Sequence, residues 1–102
     1  VDDRRGDSRC RVAVVVSLYN AADKLNLFLD EILKQSLFHR REVELVMIDS
    51  ASPSDEYGVL RSHPVYSTQP IVYARSHRRE TIQMAWNRGV SLSRAPYLTM
   101  LG

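Results

Sequence analysis

The residues of this chain best suited to chemistry follow two short apolar runs. The first run, 12–16, leads into a loop with polar side chains, and the second, 45–48, ends in an acid. The candidate binding residues are Ser17, Leu18, Tyr19, Asn20, Asp49, Ser50 and, further along, Arg79. Tyrosine can stack on a nucleobase, a carboxylate can accept hydrogen bonds from a ring N–H or a sugar hydroxyl, and arginine can bind a phosphate bidentately. This set of side chains is typical of a nucleotide site.

Three of these residues also have a purely structural interpretation. Asp49 could cap the helix that follows it, and Tyr19 could pack on the edge of a sheet. Arg79 could pair with an acid close to Glu80 or face water. The sequence alone leaves both interpretations open.

The elements that must position these residues alternate between strand and helix. The run 12–16 consists of Val and Ala without polar alternation, which is typical of a strand covered on both faces. The predicted strands are 12–17, 43–49, 71–74 and 97–101, and the predicted helices are 21–35, 53–61 and 80–93. This alternation predicts a Rossmann-like, three-layer α/β/α fold whose mainly parallel sheet of four strands has the order 3-2-1-4. Ligands bind outside the carboxyl ends of such strands, where the candidate residues meet.

Local signals predict where the helices begin and end. Asn20 is the expected N-cap of the first helix, and Ser52 followed by Pro53 is the expected start of the second. The dipeptide His63-Pro64 should stop the second helix. The segment 36–41 is interpreted as a basic loop.

The composition favours one soluble domain. The chain has 102 residues, of which 44% are apolar and 25% charged. No run approaches the roughly 18 apolar residues of a membrane span, so we expect no membrane segment. The polar residues 1–10 lack a secretory core and predict a disordered tail or linker, which leaves 11–102 as the domain. The single cysteine, Cys10, excludes an internal disulfide and favours a reducing, cytoplasmic location.

Several common sites are absent from the sequence. No GxGxxG or GxxxxGK turn is present, the histidines and the cysteine lack zinc spacing, and no nucleic-acid motif occurs. The ionisable residues of 42–56 are all acidic, whereas those of 75–94 are arginines except for one Glu and one His. A basic segment of this kind favours an anionic ligand such as a phosphate, or a solvated helix face.

Three segments carry a resemblance to a known family. The segments RVAVVVSLYNAADKLNLFLDEILKQS and VELVMIDSASPSDE resemble a strand ending in a Pro/Ser-x-Tyr-Asn loop, a helix, and a strand ending in an acidic turn. The segment RRETIQMAWNRGVSLSRAPYLTML resembles an Asn-x-Gly helix and the strand that leads to a metal-binding DxD motif. Together they are similar to the N-terminal portion of family 2 inverting glycosyltransferases of the GT-A fold, over residues 11–102.

The resemblance implies roles for individual residues. Ser17 and Tyr19 match the loop that contacts uridine, and Asp49 matches the acid that reads the base. Arg79 matches a contact to the diphosphate or the base. The implied ligand is a nucleotide-diphospho-sugar, UDP- or GDP-linked, whose acceptor the sequence does not indicate.

Four further residues bear on the resemblance. Asn87 and Gly89 match the helix motif, in which Gly89 would allow close packing against the sheet. Ser50 and Ala51 stand where Asp-Gly is common, which leaves one carboxylate where many members have two.

The resemblance also implies parts that this sequence does not contain. The DxD motif and the catalytic base are missing, so we assign no catalytic or metal-binding residue to this chain. A divalent cation, Mg or Mn, is expected for the full-length protein, and the chain alone is expected to be inactive. Two other interpretations stay open: a non-catalytic α/β module that self-associates as a homodimer through an uncovered last strand, and a phospho-receiver domain, which would need an acidic cluster after the first strand.

Overall fold

The computed structural model describes residues 1–35, 40 and 42–101, which form a five-stranded sheet with helices on both faces. The strands are β1 (Asp2–Asp3), β2 (Val12–Leu18), β3 (Val43–Asp49), β4 (Ile71–Arg75) and β5 (Tyr97–Leu101). The helices are α1 (Ala22–Leu33), α2 (Glu56–Ser62), α3 (Val65–Thr68) and α4 (Ile82–Leu92). The predicted basic loop at 36–41 lies outside the described residues, apart from Arg40.

The strand order is β1-β4-β3-β2-β5. Strand β1 is antiparallel to β4, whereas all other neighbours are parallel. Without β1 this is the predicted 3-2-1-4 order, which is confirmed. The register pairs Leu18 with Asp49 and Asp49 with Arg75, so the carboxyl ends of β2, β3 and β4 lie side by side. The loops that follow these ends therefore meet at one edge of the sheet.

The core consists of two apolar layers, one on each face of the sheet. On one face α1, α2 and α3 cover the sheet, with Leu29, Leu60 and Val65 buried against it. On the other face Ala85 of α4 packs with Val15 and neighbouring residues of the inner strands. Strand β3 is buried along its whole length because both layers cover it. The three-layer arrangement predicted from the alternation is confirmed.

The starts of the first two helices differ from the prediction. Residue 21 caps α1 without a side-chain bond, and Asn20 adopts a left-handed conformation with φ 53°. Helix α2 begins at Glu56, capped by Asp55, whose carboxylate accepts from the Gly58 N–H at 3.0 Å. The hydroxyl of Ser52 instead accepts from the Asn20 N–H at 2.7 Å. Asn20 and Ser52, the residues predicted as caps, therefore connect the loop after β2 with the loop after β3. Helix α2 ends before His63-Pro64, as expected.

The N-terminal segment is part of the fold, which corrects the expectation of a disordered tail or linker at 1–10. Strand β1 extends the sheet, and Asp2 accepts hydrogen bonds from the hydroxyls of Tyr57 and Tyr66, at 2.8 and 2.6 Å. Arg5 is only 6% exposed and donates to Glu44 at 3.0 Å and bidentately to Asp3. The segment is polar, but its charged side chains are paired and its backbone pairs with β4. These contacts attach it to the rest of the fold.

Helix α4 approaches the sheet closely at Gly89. A Cβ at this position would lie 2.2 Å from Cγ1 of Val15, so any side chain would push the helix off β2. This contact is the role that the family resemblance implies for Gly89. Asn87 lies on the outer surface of α4, where its Oδ1 accepts from the Gln83 amide at 3.0 Å.

Strand β5 is exposed along its whole length. Its large side chains, Tyr97, Leu98, Met100 and Leu101, are 38–67% exposed, and β2 is its one paired neighbour among the described strands. Within 1–35, 40 and 42–101, no helix has the length and apolar character needed to cross a membrane.

Candidate functional site

A cleft of about 350 Å³ lies where the loops after β2 and β3 meet the start of α4. It is lined by Ser17, Tyr19, Asn20, Ala21, Lys24, Ser50, Arg79, Glu80 and Ile82. Five of the seven predicted binding residues are in this set: Ser17, Tyr19, Asn20, Ser50 and Arg79. The structure thus brings together residues that are up to 62 positions apart, since 79 − 17 = 62.

Tyr19 and Arg79 are exposed residues of the cleft that contact each other. The Tyr19 ring is 42% exposed, and the guanidinium carbon of Arg79 lies 4.0 Å from its centroid. This is a cation–π contact between a residue that follows β2 and one that precedes α4. A flat aromatic ring with a cation beside it can stack a base and attract a phosphate.

Asp49 is not among the residues that line this cleft. It is fully buried, and its carboxylate accepts from the Ser52 N–H at 2.8 Å and from the Tyr73 hydroxyl. Arg75 forms an ion pair with it at 3.6 Å. Burial, together with the bond to Asp49, raises the pKa of Tyr73 above its ordinary value. The Asp49 side chain thus holds the end of β3 to β4, and Leu18, 4% exposed, belongs to the core.

Ser50 positions the segment before α4. It is 2% exposed, and its hydroxyl donates to the Glu80 carbonyl at 3.1 Å and accepts from the Glu80 N–H. This single side chain fixes both backbone polar groups of Glu80 at the wall of the cleft. Ser50 therefore has a structural role, holding the Glu80 backbone, that the sequence did not indicate. Its role as a ligand contact stays a prediction.

Two charged residues of the cleft were missed by the sequence interpretation. Lys24 is an exposed residue of α1, one turn after the loop that holds Tyr19. The Glu80 side chain is 8% exposed; its Oε2 accepts from Arg88 at 3.1 Å, and its Oε1 is buried without a hydrogen-bond partner. Helical spacing could have placed Lys24 near the loop, but no sequence signal marks Glu80 as buried.

The residue after Ser50 is backbone-strained. Ala51 adopts φ 51°, a left-handed conformation that costs an L-residue with a Cβ about 1–2 kcal/mol. Ala51→Gly should raise the free energy of unfolding by about 0.5–1 kcal/mol, because relief of strain exceeds the extra entropy of the unfolded chain. Urea unfolding measures this change. Ala22→Gly, in helix α1, is the matched control and should not stabilise; equal effects of the two changes would contradict the prediction.

The part of the chain that the structure describes does not fit a divalent-cation site. No group of three or more His, Cys, Asp or Glu side chains that could hold a metal ion occurs within 1–35, 40 and 42–101. The two buried acids nearest the cleft, Asp49 and Glu80, are instead held by Arg75 and Arg88.

Comparisons with known proteins bear on the family and the fold of this chain. The family model described as glycosyl transferase family 2 matches residues 13–102. The mannosyltransferase PcManGT from Pyrobaculum calidifontis, in complex with GDP-Man and Mn2+, is 27% identical and has a TM-score of 0.71, over 86% of this chain and 26% of that chain. TarS 1-349 of S. aureus is 16% identical with a TM-score of 0.77, over 89% of this chain and 26% of that chain, which is a likeness of fold alone.

The predicted fold class, α/β of the GT-A type, is confirmed by these two structures. The chain spans about a quarter of the length of each, 26% in both cases. A comparison with curated proteins found no match.

Proposed function

This chain belongs to glycosyl transferase family 2, and from that premise we propose that it is the donor-nucleotide-binding part of a glycosyltransferase. In the longer protein, a sugar would pass from a nucleotide-diphospho-sugar to an acceptor hydroxyl with inversion. The observation that carries the proposal is the cleft in which Tyr19, Lys24 and Arg79 converge from three separate elements.

The charges and shape of the cleft support a nucleoside diphosphate as ligand. The Tyr19 ring offers a stacking surface for a base that takes the place of the Arg79 guanidinium, and Arg79 and Lys24 are cations that can contact a diphosphate. The 350 Å³ of the cleft falls at the lower end of the range of small-molecule sites, which is about 300–1,000 Å³. PcManGT was solved with GDP-Man, which makes a GDP- or UDP-linked sugar the donor to test first.

Calorimetric titration of the chain with GDP and UDP tests the proposal. Wild-type protein should bind at least one of them, and Tyr19→Ala or Arg79→Ala should weaken binding about tenfold or more, since stacking contributes about 1–3 kcal/mol. Tyr97→Ala and Arg78→Ala remove the same types of side chain outside the cleft and should leave affinity unchanged. Absence of binding to both nucleotides, or equal losses in the controls, would overturn the proposal.

Three finer points belong to the proposal and stay predictions. The longer protein would use Mg or Mn, which the described residues of this chain do not hold. The chain alone should bind nucleotide without transferring sugar, because the catalytic base that the family resemblance implies is not among its predicted site residues. A cytoplasmic location likewise stays a prediction.

Self-association is the second candidate function, and strand β5 favours it. Its five residues are exposed, so its outer edge offers unpaired backbone groups to another chain. Sedimentation velocity at increasing concentration should then show a dimer that weakens when Met100→Pro blocks pairing along this edge, because Tyr97 bonds to β2 and the backbone of Met100, three residues on, faces the other side of the strand. A monomer at every concentration would exclude this candidate.

A further inference from the structure

Glu80, which lines the cleft, has one carboxylate oxygen that the described part of the chain does not satisfy. Oε1 of Glu80 is buried and has no hydrogen-bond partner, whereas Oε2 of the same group accepts from Arg88 at 3.1 Å. The side chain is 92% buried, since it is 8% exposed. A buried acceptor without a donor is costly, and in native proteins such a group asks for an explanation.

Asp49, which the family resemblance implies as the acid that reads the base, is poorly placed to contact a nucleobase. Asp49 does not line the cleft, and its two oxygens already accept from Ser52, Tyr73 and Arg75. Ser50, the next residue, carries no charge and spends its hydroxyl on the backbone of Glu80. Among the described lining residues, Glu80 is the one that carries a carboxylate.

We infer that Glu80 is the base-reading acid of this cleft, and that its Oε1 accepts a hydrogen bond from a ring N–H of the donor nucleobase. The inference rests on the proposed function, because it assigns a specificity residue to the same nucleotide site. Ser50 is then a positioning residue, since it fixes the backbone of Glu80 rather than the ligand.

A base stacked on Tyr19 would lie close to Glu80, because both residues line the cleft. Arg79 precedes it directly, and the Arg79 guanidinium covers the Tyr19 ring at 4.0 Å. A base that stacks on Tyr19 takes the space of that guanidinium and lies beside residues 79 and 80. Because Oε1 is closed to solvent in the free chain, a base reaches it only when the residues around it rearrange.

The chemistry of a carboxylate decides which bases qualify. An ionised carboxylate accepts hydrogen bonds and cannot donate. Guanine and uracil present a ring N–H on the pairing edge, whereas adenine and cytosine present an acceptor nitrogen at the corresponding position. Glu80 should therefore select guanosine and uridine diphosphates against adenosine and cytidine diphosphates.

Titration of four probes, GDP, UDP, ADP and CDP, into the chain tests the inference. Wild-type protein should bind GDP or UDP about tenfold or more tightly than ADP and CDP, the size expected for one hydrogen bond to a charged group. Glu80→Gln keeps an oxygen for Arg88 and puts an amide donor in place of Oε1, so the preference should collapse or reverse. Glu31→Gln, at an acid of α1 that is 67% exposed, is the matched control and should keep the wild-type preference.

A ligand-side measurement keeps the inference falsifiable if Glu80→Gln does not fold. On wild-type protein, N3-methyl-UDP or N1-methyl-GDP should bind about tenfold more weakly than the parent nucleotide, and the 2′-deoxy nucleotides should bind equally well. Full affinity for the methylated bases, or a loss confined to the 2′-deoxy forms, overturns the inference and leaves the proposed function standing. Absence of binding to all four nucleoside diphosphates overturns both, whereas normal binding with unchanged preference in Glu80→Gln overturns the inference alone.

Discussion

Glu44→Ala should lower the free energy of unfolding by about 3–5 kcal/mol, the loss typical of breaking a buried charge pair. Glu44 is 2% exposed in the middle of the sheet. Its Oε1 accepts from the Arg94 and Ala95 N–H groups, at 2.7 and 3.0 Å, and from the Ser93 hydroxyl, while Oε2 accepts from Arg5. One carboxylate therefore joins β3, the end of α4 and the N-terminal segment, and alanine would leave all four donors without this partner.

Glu42→Ala is the matched control for this prediction. Glu42 lies two residues earlier, and its ion pair with Arg11 spans 3.9 Å between side chains that are 29% and 74% exposed. Such a pair contributes about 1 kcal/mol or less. Urea unfolding measures the free energy of unfolding of both variants. If Glu44→Ala is as stable as Glu42→Ala, the Glu44 carboxylate does not stabilise the fold as predicted.

The same network should make the fold sensitive to acid. Burial raises the pKa of Glu44, but the bonds from Arg94, Arg5 and Ala95 reverse this and hold the pKa below its ordinary 4.5. The bond from Arg5 lowers the pKa of Asp3 from 3.8 to about 2. Both folded carboxylates hold protons less tightly than the unfolded ones do, so their stabilisation is present above about pH 4.5 and is lost as pH falls toward 2. Unfolding curves at pH 7, 4 and 2.5 should show this loss, and Glu44→Ala should show less of it.

Asp49→Ala should lower the free energy of unfolding by about 2–4 kcal/mol, even though the sequence suggested a ligand contact at this position. The carboxylate is fully buried and receives the Ser52 N–H, the Tyr73 hydroxyl and the Arg75 ion pair. Removing it leaves three groups at the carboxyl edge of the sheet without their acceptor. Thermal unfolding followed by circular dichroism measures the effect.

Asp23→Ala supplies the comparison for Asp49→Ala. Asp23 is an exposed acid in the first turn of α1, where the helix dipole makes it favourable by about 0.3–1 kcal/mol. If Asp49→Ala is as stable as wild type and yet binds GDP or UDP more weakly, then Asp49 contacts the ligand as the family resemblance implies. If stability falls and the folded fraction still binds, Asp49 acts through the fold alone.

Local patterns in the sequence were sufficient for the described elements except β1 and α3. The β-branched runs at β2 and β3 and the helical spacing in α1 and α4 each depend on neighbouring residues, and their alternation predicts a parallel sheet with two covered faces. The same patterns placed Tyr19 and Arg79 at one edge, where the structure stacks them. The dipeptide His63-Pro64 also predicted where α2 ends, because proline restricts the backbone of the residue before it.

The tertiary structure alone decided which charged residues are buried and which face the cleft. In the sequence the acids of 42–56 form one acidic stretch. In the structure Glu44, Asp49 and Glu56 are at most 2% exposed, and each has different surroundings. Arg5 and Glu44 meet across 39 positions, and Ser50 and Glu80 across 30. Burial of a charge depends on a partner that is distant in the chain, and periodicity carries no information about such partners. For that reason the sequence pointed to Asp49 as the acid of the site, whereas among the described residues that line the cleft packing left an unpaired carboxylate oxygen on Glu80.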